Sequence, residues 1–108
     1  MLVKKEEAGI KERKPMIIRS YNFGTNKYSC ALIEINGNHG KIKSLKSDRI
    51  YFILTGKGIF WVDGKEHAVS EGDLVFVPKK TPYNIIGKMK YFLVNSPAFD
   101  PKEDVNLE

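Results

Sequence analysis

Few side chains in this 108-residue sequence can exchange a proton near neutral pH without a large pKa shift. There is one cysteine, Cys30, and there are two histidines, His39 and His67. Cys30 lies in the apolar run YSCALIEI with no base beside it, which suits a small buried hydrophobe better than a reactive thiolate. His39 and His67 are the groups able to accept a proton near neutral pH without a large shift. His39 falls in the turn-like stretch NGNHG and His67 just after Asp63-Gly64, and each reads alone as a partly exposed polar residue. The stretch KSLKSDRIYFILTGKG (43–58) has the outline of a strand running into glycines, and its cationic positions include Lys43 and Arg49. Those cations have no lone pair to offer at neutral pH.

The elements that must position these groups are short. MIIRS, YSCALIEI, RIYFIL, IFWV, HAV, LVFV, YNII and YFLVN are rich in Ile, Val, Tyr and Phe and too brief for helices. Turn signals separate them: Asn36-Gly37, Gly56-Lys57-Gly58, Asp63-Gly64, Glu71-Gly72-Asp73, Pro78 and Gly87. Asp63-Gly64 is the strongest, because Asp-Gly suits the positive φ angles of a two-residue hairpin. This spacing predicts an all-β antiparallel sandwich or barrel. Residues 1–14 read as a loose charged arm, 15–100 as the domain, and 101–108 as a tail that adds a short element or frays.

The net charge of +5 is spread over scattered lysines with no arginine-rich stripe, so no nucleic-acid partner is expected. No apolar run approaches membrane-spanning length and no signal-peptide core follows Leu2 and Val3, so the expectation is a cytoplasmic protein without a membrane partner.

The run GKGIFWVDGKEHAVSEGDLVFVPKKTPYNI resembles the cupin superfamily, with its G-x-G, its D-G hairpin and its G-D-x-V-x-V-P segment. The resemblance covers roughly residues 28–100 and implies a single-domain double-stranded β-helix, a jelly-roll-like antiparallel barrel. The family's first motif is G, five residues, H-x-H, three or four residues, E, six residues, G. Laid from Gly37 to Gly56, it puts the histidines on Lys43 and Leu45 and the glutamate on Arg49. The second motif, laid from Gly72 through Pro78, puts its histidine on Tyr83. All four metal ligands of the family pattern are replaced. The expectation is therefore no metal and no cofactor.

What the resemblance implies for the site is a pocket at Lys43, Arg49, Tyr51 and Tyr83. Strand alternation puts Ile53, Phe60, Val62, Val75, Val77 and Ile85 inward with them. Two readings stay open. Lys43 and Arg49 form a cationic pocket for a small anionic molecule (a carboxylate, sugar or sugar phosphate), or Lys43 reaches solvent and Arg49 pairs with an acidic neighbour such as Asp48 or Glu34. The leading function is metal-independent small-molecule binding. The rivals are a metal-free sugar isomerase or epimerase and a non-catalytic dimeric scaffold. Ile59, Trp61, Leu74 and Phe76 point outward in this register, which predicts a homodimer.

Overall fold

The computed structural model describes residues 1–108, and the β-branched and aromatic runs form nine strands. In chain order these are β1 (Gly9–Arg13), β2 (Met16–Tyr21), β3 (Ser29–Asn38), β4 (Ile42–Ser44), β5 (Asp48–Val62), β6 (Lys65–Ser70), β7 (Leu74–Val77), β8 (Tyr83–Ser96) and β9 (Asp104–Asn106). All pairings are antiparallel. The sheet runs β1-β2-β3-β8, β8 continues to β5 and to β4-β9, and β5 carries β6 and β7 on its far edge. No helix is long and apolar enough to cross a membrane.

Three of the glycine turn signals are not turns. β5 and β8 pair from Asp48↔Ser96 to Val62↔Tyr83, straight through Gly56, Gly58 and Gly87. Gly37 likewise lies inside β3. The register aligns Gly37 with Gly87 and Gly87 with Gly58, so three neighbouring strands carry glycine in one row. A Cβ on Gly87 would sit 2.6 Å from the Gly58 Cα, and one on Gly58 would sit 2.5 Å from the Ile86 carbonyl oxygen. The backbones approach too closely for any side chain, and the sheet creases along this row. Glycine within a strand often marks such a close approach of another backbone. A register shift at Leu54 adds a bulge beside the crease.

Asp63-Gly64 is the two-residue hairpin the sequence predicts, with φ of 50° and 80° and Val62 paired to Lys65. The Glu71–Asp73 turn docks on the bulge: Gly72 N donates to the Ile53 carbonyl and Ile53 N to that of Asp73. Inward residues follow strand alternation. Tyr51, Ile53, Phe60, Val77, Tyr83, Ile85 and Tyr91 are the largest buried side chains.

The N-terminal arm, expected to be loose, contributes a strand, and the C-terminal tail adds short elements. Residues 9–13 form β1, which pairs with β2 along its whole length although every residue of β1 is exposed. After β8, Asp100 caps a 3-10 turn, accepting from Lys102 N, and β9 then pairs with β4.

Candidate active site

Alternation along β5 turns Arg49 and Tyr51 inward, and Tyr83 faces them from the first residue of β8. Each is only 2% exposed. Arg49 Nη1 donates to Tyr83 Oη at 2.7 Å, and the Tyr83 and Tyr51 hydroxyls lie 2.6 Å apart. Arg49 Nε donates to Asn95 Oδ1 at 2.7 Å, and Asn95 Nδ2 in turn donates to Ser29 Oγ at 3.3 Å. Arg49 Nη2 donates to Asp104 Oδ1 at 2.6 Å as an ion pair. Neither acidic partner named from the sequence takes part. Asp48 accepts from the Lys79 backbone and Glu34 makes an exposed pair with Lys90.

Lys43 is not brought to this cluster. On β4 it is Ile42 that packs against the core and Ser44 that is buried, so Lys43 and the exposed Leu45 lie on the alternate face. The motif frame slips by one residue here. The Ser44–Ser47 turn absorbs the offset, with Ser44 Oγ accepting from the backbone of Lys46 and Ser47. Arg49 and Tyr83 then return to the expected register.

His39 enters the site from the β3–β4 link. Its ring stacks on Tyr83 with centroids 6.0 Å apart and planes 29° apart. Its backbone N donates to the Ile85 carbonyl, which fixes the link against β8. His39 Nδ1 lies 2.8 Å from the Gly40 carbonyl oxygen. A carbonyl only accepts, so Nδ1 carries the proton and Nε2 keeps its lone pair. Burial pushes the His39 pKa below the usual histidine value, the bond to Gly40 opposes this, and Arg49 and Arg13 push it down further. The imidazole is therefore neutral at neutral pH.

Burial raises the pKa values of Tyr51 and Tyr83, and for Tyr83 this outweighs the opposing effect of Arg49 and of its hydrogen bonds to Tyr51 and Arg49. Both are neutral phenols in the physiological range. Burial alone would lower the Arg49 pKa, but the phenol oxygens and Asp104 raise it instead, so the guanidinium stays charged.

The cluster is covered on its outer side by partly exposed groups. His39 is half-buried, the Asp104 side chain is 22% exposed, and the Phe99 ring lies 5.7 Å from the Arg49 guanidinium carbon. Two surface hollows of about 450 and 440 Å³ lie elsewhere, along β6, and neither is lined by Arg49, Tyr51 or Tyr83. His67 lines the first of them. Sequence reasoning undervalued His39 and missed Asn95, Phe99 and Asp104.

These residues do not fit a divalent metal. A guanidinium occupies the place of a carboxylate, and no group of three or more His, Cys, Asp or Glu side chains gathers anywhere in the chain.

The antiparallel barrel, with Arg49 and Tyr83 inward at two of the motif positions, has the fold of the small single-domain cupins. Residues 45–90 match the cupin domain family. An uncharacterized protein of Methanocaldococcus jannaschii is 40% identical over 70 residues, a match spanning 61% of this chain and 56% of that protein. This chain thus matches just over half the length of that relative. An uncharacterized protein of Aquifex aeolicus is 26% identical over 110 residues, covering 99% of this chain and 88% of the other. Among solved structures, the nucleoside dehydratase Pac13 superposes with a TM-score of 0.93 at 18% identity, covering 100% of this chain and 91% of that one. The Streptomyces Pac13 has been solved with uridine in variants that change a tyrosine to phenylalanine or a histidine to glutamine. KdgF from Halomonas superposes with a TM-score of 0.83 at 14% identity, covering 94% and 97%. At these identities the shared feature is the fold.

Proposed function

We propose that this chain acts on a small sugar or nucleoside by metal-independent acid–base chemistry, with His39 as base and Tyr83 as acid. The observation that carries this reading is the stacking of a neutral His39 on Tyr83, whose hydroxyl is clamped between Arg49 and Tyr51. Arg49 can only donate, so the Tyr83 oxygen must accept from it. If Tyr51 donates its own proton to Tyr83, the Tyr83 proton is free for a ligand.

The reaction this suits is loss of water next to a carbonyl. His39 Nε2 takes a proton from the carbon beside the carbonyl, and the C–H electron pair forms the new double bond. The C–O bond to the departing hydroxyl breaks, and Tyr83 supplies the proton that releases it as water. The Tyr83 oxygen left behind is stabilised by hydrogen bonds from Arg49 and Tyr51. An isomerase or epimerase would share the first step and return the proton to carbon. The residue types altered in the Pac13 structures, two tyrosines and a histidine, are those gathered here, which favours the nucleoside class.

The test is a panel of nucleosides and their carbonyl-bearing oxidation products, with water loss read by mass spectrometry and uridine binding by NMR titration. His39→Gln and Tyr83→Phe should each lower turnover by at least about 100-fold while uridine affinity stays within about threefold. Absence of both uridine binding and turnover across the panel would favour the scaffold reading, which the near-complete burial of Arg49 and Tyr51 also suits.

We further propose that the chain pairs with a second copy through the outer face of β7-β5-β8-β3. Two rows cross it, Phe76-Ile50-Val94-Cys30 and Leu74-Phe52-Phe92-Leu32, every member apolar. Trp61 is not part of this face. It lies beyond the crease, opposite Asn84 and Glu66.

A further inference from the structure

We propose that Asp104 acts as an internal anion on Arg49, so that the site admits uncharged polar groups and excludes anionic ones. This rests on the reading of Arg49, Tyr83 and His39 as a ligand site. The guanidinium is gripped from three directions, and two of its partners, Asn95 and Tyr83, are uncharged. The third is the carboxylate of Asp104 at 2.6 Å, delivered by a strand outside both family motifs.

Asp104 is placed there by backbone structure. β9 pairs with β4 with Ser44 opposite Asp104, Leu45 N donates to the Glu103 carbonyl, and Leu107 N donates to that of Lys41. The segment leading to it is also anchored, with Phe99 N bonded to Ser29 Oγ and its ring against Arg49. The carboxylate is thus held on both sides in sequence.

The consequence is electrostatic. A ligand carboxylate or phosphate approaching Arg49 would meet a guanidinium already neutralised and a like charge beside it. In a partly desolvated site that repulsion is weakly screened. A ligand hydroxyl or carbonyl meets no such penalty and can bond to Tyr83. A single free cation at Arg49 would have selected anions, and Asp104 reverses that preference. A neutral nucleoside or sugar therefore fits this end of the site better than its phosphate.

Formate and formamide, similar in size and different in charge, are the probes. With the wild-type chain, neither should move the thermal midpoint beyond a sodium chloride control of equal ionic strength. Asp104→Gly opens a carboxylate-sized space against Arg49. Its midpoint should fall, and formate should restore it in a saturable manner while formamide does not, with apparent formate affinity at least about tenfold above wild type. If this variant does not fold unaided, the yield on refolding in formate against formamide gives the same comparison. A wild-type response to formate equal to that of the variant, or a variant indifferent to formate in both formats, would overturn the proposal. Neither readout uses turnover or uridine, so the result stands or falls separately from the reaction assigned to His39.

Discussion

Arg49 has no acceptor atom, and this orients every group around it. Its three donations fix which oxygens of Asn95, Tyr83 and Asp104 must accept, and they leave the Tyr83 proton to be shared with Tyr51 or a ligand. The same burial that assembles the cluster holds it uncharged apart from the ion pair, and this sets how stability varies with pH. His39 has its pKa below the ordinary value of 6.5, so the unfolded chain binds its proton more readily. Its contribution is present above about pH 6.5 and is lost as pH falls through the folded value. The tyrosines behave in the opposite sense. Tyr51, Tyr83 and Tyr91 all lie above the ordinary value of 10.0, so their contribution is present below that pH and lost as pH rises above it. Chemical denaturation from pH 5 to pH 11 should show a plateau with losses at both ends. His39→Gln should flatten the acid limb and leave the alkaline limb in place. An unchanged acid limb would mean that His39 is not buried as described.

At the scale of elements, the fold depends on the crease. β5 and β8 each serve both walls of the barrel because they bend together where Gly58 and Gly87 touch. Without that bend, Tyr83 at one end of the pair could not face Arg49 and Tyr51 at the other. Gly87→Ala forces a Cβ against the Gly58 backbone, which cannot move aside, so the expected cost is at least about 3 kcal/mol, as for severe core strain. Gly64→Ala is the control. It has a positive φ of 80° but nothing within 4 Å of the added carbon, so it should cost only about 1 kcal/mol. Urea denaturation of the two variants compares them directly. Equal losses would show that the crease tolerates a side chain and that backbone conformation alone sets the cost.

For the whole molecule, the outer apolar face is the surface without a partner in the isolated chain. Leu74 and Phe76 are more than half exposed, and Ile50 and Phe52 are 40% exposed beside them. A patch of this kind on one wall of an isolated barrel points to an interface. Light scattering should give about twice the 12.3 kDa chain mass at micromolar concentration. Phe52→Lys or Phe76→Lys should shift the mass to that of one chain or cause aggregation. Trp61→Lys should leave the mass unchanged, because the crease carries Trp61 to the other wall. Dissociation by Trp61→Lys alone would place the interface on β5-β6 instead.

The all-β fold was legible from alternation and turn chemistry alone, and the order of the pieces identified the cupin barrel. Those are local properties: side-chain period and the φ demands of Asp63-Gly64 are set within a few residues. Once the family frame set Arg49 and Tyr83 inward, the same period carried Tyr51, Ile53 and Ile85 inward with them. The sequence could not distinguish a glycine that turns from a glycine that lets strands touch. That difference at Gly58 and Gly87 exists only once β5 and β8 lie side by side. Nor could it place Lys43, because a one-residue slip in the Ser44–Ser47 turn reverses the face of every residue before it. The partner of Arg49 lay further still from local pattern. Asp104 is 55 residues away in sequence, and only the pairing of a three-residue strand with β4 brings its carboxylate to the guanidinium. Secondary structure was written in neighbours, and the chemistry of the site was written in which distant neighbours the crease and the C-terminal strand bring together.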